Sequence, residues 1–271
     1  MDEPGGELAN WLGSIPQYVV ALVCVYALED GPAVAIATAA EEGDERTVRW
    51  LTWEGALTVA DVRADDNCAL RESCFGGHLF IAMWLTAKFG LTAMDARARD
   101  NYALRGACAR GHIRTASWLE AEFGLTARDA RTDRNFALRV ACENGHLEVA
   151  QWLVSTFELT PADARAVDNH ALRNASASGH LKVVQWLVAT FGLVAEDARA
   201  GDNYALRFAC ANGHLKVAQW LTDQFGLTVA DARADACYAL RGARERGHPD
   251  VAQWLVDSFG LTRADEGRAQ I

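Results

Sequence analysis

Proline is scarce in this chain, at 5 of 271 residues, and charged side chains make up 23% against 51% hydrophobic ones. That composition excludes wholesale disorder of the proline-rich or charge-rich kind. Positive charge is also in short supply. Twenty-six Lys and Arg against 36 Asp and Glu leave a formal net charge of -10, the wrong sign for tracking phosphates, so nucleic acid is a poor default partner. The apolar run Ile15–Leu28 closes on Glu29 and Asp30 after fourteen residues. It is short of the ~20 residues of a membrane span and reads as a buried capping helix. The start, Met1–Ser14, is acidic where a secretory signal is basic, which predicts an intracellular protein. Seven cysteines without Cys-x-x-Cys spacing predict a reducing compartment and argue against a disulfide scaffold or structural zinc.

Tryptophan, by contrast, is abundant, at nine residues. Trp50, Trp84, Trp118, Trp152, Trp186, Trp220 and Trp254 are separated by 34 residues each time, a solenoid period. Gly77-His78, Gly111-His112, Gly145-His146, Gly179-His180, Gly213-His214 and Gly247-His248 mark a second column, with Gly43-Asp44 in the first unit. The register predicts seven units starting near residues 33, 67, 101, 135, 169, 203 and 237, preceded by an N-terminal helical cap over 1–32.

Each unit reads as a short helix, a glycine, a longer helix and a connector. In the third, Asn101 is placed to cap the first helix, Ala103, Leu104, Ala107 and Cys108 form its apolar stripe, and Gly111 ends it in a left-handed conformation. Ile113, Ala116, Trp118 and Leu119 define the inner surface of the second helix, so the tryptophans are expected to mark a stacked core. Thr58, Thr92, Thr126, Thr160, Thr228 and Thr262 each precede an aspartate by three residues, a capping pattern that predicts another helical turn in the connector. Pro161 strengthens it. Val194 occupies the cap column of the fifth unit, whose connector is expected to start less firmly.

These features resemble ankyrin repeats, in particular the divergent 34-residue form abundant in giant viruses infecting amoebae. The family's T-P-L-H falls on Tyr102-Ala103-Leu104-Arg105, its A-A-x-x-G-H on Ala107–His112, and its G-H-L-E-V-V on Gly145–Ala150. Where the family continues L-L-x-x-G-A-D, Trp152–Thr160 departs from it, leaving open whether the connector is a short helix or a β-hairpin finger. The resemblance implies an all-α, ankyrin-like repeat solenoid of stacked helical hairpins. It also implies partner binding through a groove, without intrinsic catalysis, in the host cytoplasm if the source is viral.

The recurring polar columns read as structural. Six histidines one repeat apart are too widely spaced to share a metal ion. The Cys74, Cys108, Cys142 and Cys210 column suits small buried packing residues. Arg71, Arg105, Arg139, Arg173, Arg207 and Arg241 suggest an arginine–carboxylate ladder with residues such as Asp66 and Asp168, and Arg63, Arg97, Arg131, Arg165, Arg199 and Arg233 offer a second set. No phosphate-cradling loop or catalytic constellation appears, so the chain is read as a non-enzyme needing no cofactor or metal. Candidate contacts are the residues that vary within this frame. The resemblance maps its contact position onto Glu72, Gly106, Val140, Asn174, Phe208 and Gly242, with Arg99, Arg134 and Asp235 from the tip region and His170 as a variable-column residue. Glu72, Val140, Asn174, Phe208, Arg99 and Arg134 are the partner-binding candidates. The preferred function is a protein-interaction scaffold. A self-associating structural protein and an adaptor for host protein modification are the alternatives.

Overall fold

The structure is a computed structural model describing residues 31–53 and 57–266. The expected cap over 1–32, with Ile15–Leu28, lies outside the described residues except for its last two. Two compact units divide the chain, Met1–Gly106 with Ser117–Gly124 and Ala107–Ala116 with Leu125–Ile271. Each is all-α, a repeat solenoid of stacked hairpins, with no strand among the described residues.

In the first unit the hairpin Pro32–Glu42 and Glu45–Trp53 is followed by the connector helix Val59–Val62, the hairpin Ala64–Phe75 and Leu79–Phe89, and the connector Ala93–Ala96. In the second unit the first helices Thr132–Glu143, Ala166–Ala177, Ala200–Ala211 and Ala234–Glu245 pack side by side. Behind them stand Leu147–Phe157, Leu181–Phe191, Leu215–Phe225 and Pro249–Phe259. Ala137, Ala171, Ala205, Cys142 and Cys210 are fully buried, and their small size lets these first helices approach closely.

Leucine, rather than tryptophan, fills the centre. Leu138, Leu172 and Leu206 from first helices and Leu153, Leu187 and Leu221 from second helices are completely buried, whereas the tryptophan column is only half-buried. The reason is angular: consecutive helical residues do not share a face, so the leucine after each tryptophan takes the core and the indole falls at its edge. There it packs edge-on against a phenylalanine five residues later, as in Trp152–Phe157 with centroids 5.5 Å apart and Trp254–Phe259 at 5.6 Å. The expectation that tryptophan marks the stacked core is corrected accordingly.

The connector is a single helical turn. At Pro161–Ala164, the Asp163 carboxylate accepts the Thr160 amide at 2.8 Å and its hydroxyl at 2.9 Å. Val194 keeps the amide bond to Asp197, at 2.9 Å, so the connector Ala195–Ala198 has the same register, but its start is held without the hydroxyl bond that threonine supplies in the other connectors.

A left-handed turn follows each connector from Val59–Val62 to Val229–Ala232. Asp133, Arg134 and Asn135 have φ of 51°, 54° and 62°, and the pattern recurs at residues 65–67, 99–101, 167–169, 201–203 and 235–237. Asp and Asn tolerate this region best among non-glycine residues, which accounts for the recurrent Asp-Asn pair. Asn101, expected as a capping residue, is the last left-handed residue of its turn. Its counterparts Asn67, Asn135, Asn169 and Asn203 have side-chain oxygens that accept no hydrogen bond among the described residues. Connector helix and left-handed turn together stand where a hairpin finger was the alternative.

Candidate interaction surface

The turns place their first two residues outward and the third inward. Arg99 and Arg134 are exposed, as are Asp133, Asp168, Asp202 and Asp235, while Asn135 and Asn169 are buried. Arg99 reaches back to the preceding turn, bonding Asp66 at 3.0 Å and pairing with Asp65.

The first two left-handed residues of a turn offer carbonyls to the arginine column, which is buried at Arg71, Arg139 and Arg207. Arg139 donates from Nε to the Arg134 carbonyl at 2.9 Å and from Nη2 to that of Asp133 at 3.0 Å. Arg71 does the same with Asp66 and Asp65, both at 2.9 Å. These arginines therefore brace backbone first, with carboxylate contacts such as Arg173–Asp168 at 3.1 Å secondary. The expected arginine–carboxylate pairing is present in part, since Arg71–Asp65 at 3.4 Å, Arg173–Asp168 and the inter-repeat pair Arg207–Asp235 accompany these backbone bonds. The inter-repeat ladder runs through the connector set: Arg131 donates to Asp163 from Nε at 2.9 Å and Nη2 at 3.1 Å, and Arg63–Asp95, Arg165–Asp197 and Arg199–Asp231 repeat the bidentate pairing. Burial would raise the pKa of Asp95, Asp163, Asp197 and Asp231, but the arginine and cap donors outweigh it and hold each carboxyl below its ordinary value.

The histidines are also inter-repeat contacts. His78 Nε2 donates to the Glu41 carbonyl at 3.1 Å, and the His180 and His214 rings lie against Gly145 and Gly179 of the preceding repeat. Burial holds the His180 and His214 rings below the usual imidazole range, although the nearby backbone of Glu143 and Ala177 favours their charged forms. No group of three or more His, Cys, Asp or Glu among the described residues is arranged to hold a metal ion. Cys74 is fully buried, which pushes its thiol pKa up to about 12, and Cys108, Cys142 and Cys210 shift the same way.

Of the contact column, Glu72 is half-buried in the first unit, 3.6 Å from Arg71, with burial pushing its carboxyl pKa upward. In the second unit Val140, Asn174 and Phe208 are half-buried on successive first helices. Asn174 is 2.9 Å from His170 Nε2, one helical turn back. Gly106 and Gly242 are buried: a Cβ at Gly106 would approach Phe75 to 3.1 Å, and one at Gly242 would reach Ala211 at 2.6 Å. Close packing, rather than tolerance of solvent-side variation, explains those two.

Phe208 lies in an aromatic cluster that the sequence reading missed. Tyr204 stacks on it with centroids 4.1 Å apart, and Tyr238 lies 5.1 Å away on the other side. The Arg207 guanidinium is 5.7 Å from the Phe208 centroid and 5.6 Å from that of Tyr238. The signal was present, since Tyr204 precedes Phe208 by four residues and Tyr238 by 34. On the second-helix side an open cleft of about 510 Å³ is lined by residues including Thr222, Asp223, Trp254 and Ser258, with Asp223 its one carboxylate. It assembles no acid–base pair.

Comparison with known proteins agrees with the repeat reading over the middle of the chain. Residues 104–194 match a family model described as ankyrin repeats in three copies, and residues 172–222 one described as ankyrin repeats in many copies. An X-ray structure of an ankyrin repeat family protein from Legionella pneumophila is similar at 17% identity with a TM-score of 0.41, covering 86% of this chain and 74% of that one. No curated protein matches the chain. The two family matches together span residues 104–222.

Proposed function

We propose that the chain is a non-enzymatic protein-interaction scaffold that takes a macromolecular partner on its first-helix faces and turn tips. In the first unit Glu72 and Arg99 would make contacts, and in the second Arg134, Val140, Asn174 and Phe208. The observation that carries this reading is the partly exposed Tyr204–Phe208–Tyr238 cluster beside Arg207, since aromatic and arginine side chains supply most interface hot spots. A protein partner suits the net charge of -10 better than nucleic acid. The reducing pattern of cysteines and the resemblance to the giant-virus form support an intracellular site of action, in the host cytoplasm if the source is viral.

The test is quantitative capture from the native cell with the full chain as bait, beside a variant changed at Glu72, Val140 and Phe208. A partner retained by the first and lost by the second supports the surface. Equal recovery sinks it. Light scattering across micromolar concentrations addresses self-association, with a concentration-dependent rise in mass favouring that alternative.

A further inference from the structure

We infer that the outer face of the first unit, formed by the helices Glu45–Trp53 and Leu79–Phe89, is a second docking surface that takes an amphipathic helix with an acidic rim. It lies on second helices and goes beyond the first-helix surface proposed above.

The helix Leu79–Phe89 presents Phe80, Met83, Trp84 and Ala87 at i, i+3, i+4 and i+7, one continuous stripe. Phe80 is 38% and Met83 47% exposed, and the following connector adds Met94 at 83%. No other unit is built this way. The Phe80 column elsewhere holds Arg46, Arg114, Glu148, Lys182, Lys216 and Asp250, and the Met83 column holds Arg49, Ser117 and four glutamines. The repeat therefore folds with a polar outer face, and stacking does not require this apolar pair. An apolar stripe kept where the framework accepts charge marks an interaction site.

The stripe is held in position before any partner arrives. The Trp84 indole N–H donates to Thr52 Oγ1 at 3.0 Å, and Phe80 stacks on Trp84 with centroids 6.1 Å apart. Arg49 lies over both rings, 4.6 Å from the Phe80 centroid and 5.6 Å from that of Trp84. Fixed aromatic anchors reduce the ordering cost of association.

Local charge selects the occupant. These two helices carry Arg46, Arg49 and Lys88 against Glu45 alone, and Glu45 is 4.0 Å from Arg49. Cations along one side and at the C-terminal end of an apolar stripe complement leucine-type anchors flanked by carboxylates. A second copy would bring the same cations face to face. An anionic bilayer extends beyond this face and would meet the acidic remainder of the molecule, which a single short helix does not.

The full chain is titrated into a fluorescein-labelled helical peptide of about 18 residues, with Leu at i, i+3, i+4 and i+7 and Glu on the rim, beside the same peptide rimmed with Lys. The Glu peptide should bind at least about tenfold more tightly than the Lys peptide. Phe80→Glu with Met83→Gln copies the pair that Glu148 and Gln151 form in the fourth unit. This variant should keep the thermal midpoint and lose about tenfold or more in affinity, while Phe208→Asn leaves binding unchanged. Equal binding of the two peptides, no binding of either, or undiminished binding by the double variant overturns the inference. So does a wild-type dimer in sedimentation that the double variant abolishes, which assigns the face to a second copy. Binding to phosphatidylserine vesicles that the same variant abolishes would assign it to lipid and equally overturn the inference.

Discussion

The Cβ that Gly179 lacks would stand 2.5 Å from Nδ1 of His214, and Gly179 itself has φ of 80°. Two constraints meet there: the left-handed backbone that closes one first helix, and the imidazole of the next repeat lying against it. Gly192 has φ of 59° but open space around it. Gly192→Ala should therefore cost about 1–2 kcal/mol from the backbone alone, and Gly179→Ala clearly more, by urea denaturation. Equal losses would show that the histidine contact contributes nothing.

Acid should unfold the chain in two stages. The folded pKa values of His180 and His214 are lowered, chiefly by burial, so their contribution is complete above the ordinary imidazole value of 6.5 and falls away as pH drops below it. The Asp95, Asp163, Asp197 and Asp231 carboxyls are lowered from 3.8, so theirs is complete above that value and lost on further acidification. Urea midpoints measured across pH should show both declines, and His180→Gln with His214→Gln should shrink only the first, leaving the share of His170, whose ring burial also holds below its ordinary value. A single decline below pH 4 would contradict the histidine assignment.

Removing Arg165 strands the buried Asp197 carboxylate, whose bonds from Arg165 are 2.8 and 2.9 Å long. Arg165 is partly exposed, so Arg165→Ala should cost about 1–3 kcal/mol rather than the full amount for a buried pair. Arg165→Lys should recover only part, because an ammonium cannot make the two parallel bonds. Full recovery by lysine, read from denaturation midpoints, would count against the bidentate geometry.

Two positions depart from the repeat and should be improvable. Glu158 closes its helix at φ 50° where Gly90, Gly124, Gly192, Gly226 and Gly260 do so elsewhere, and Glu158→Gly should stabilise by about 1 kcal/mol. Val194→Thr should restore the missing hydroxyl bond to Asp197 and add about 0.5 kcal/mol. Calorimetric midpoints that do not rise would contradict both.

Much of this was legible from residue spacing. The 34-residue interval placed the hairpins, the Thr-x-x-Asp pairs placed the connector helices, and cysteines recurring beside alanines indicated packing rather than chemistry. The turns at residues 65–67 and their equivalents were not legible, because Asp and Asn favour both helix caps and left-handed backbone, and only the sign of φ separates the two. The work of the Arg139 column was hidden for the same reason: its acceptors are carbonyls, which every residue carries. The half-burial of Trp152 and its counterparts followed from the neighbouring leucine, which a column of identical tryptophans does not reveal. Phe208 stood out as a candidate, yet its flanking tyrosines required the first helices to be seen side by side.

Binding of a protein partner on the first-helix face is read out by calorimetric titration of the captured partner into the wild-type chain and Phe208→Asn. Asparagine already occupies the same column at Asn174, so the fold should tolerate the change. The account predicts affinity weakened about tenfold or more with a thermal midpoint little altered. Unchanged affinity in a folded variant would contradict it.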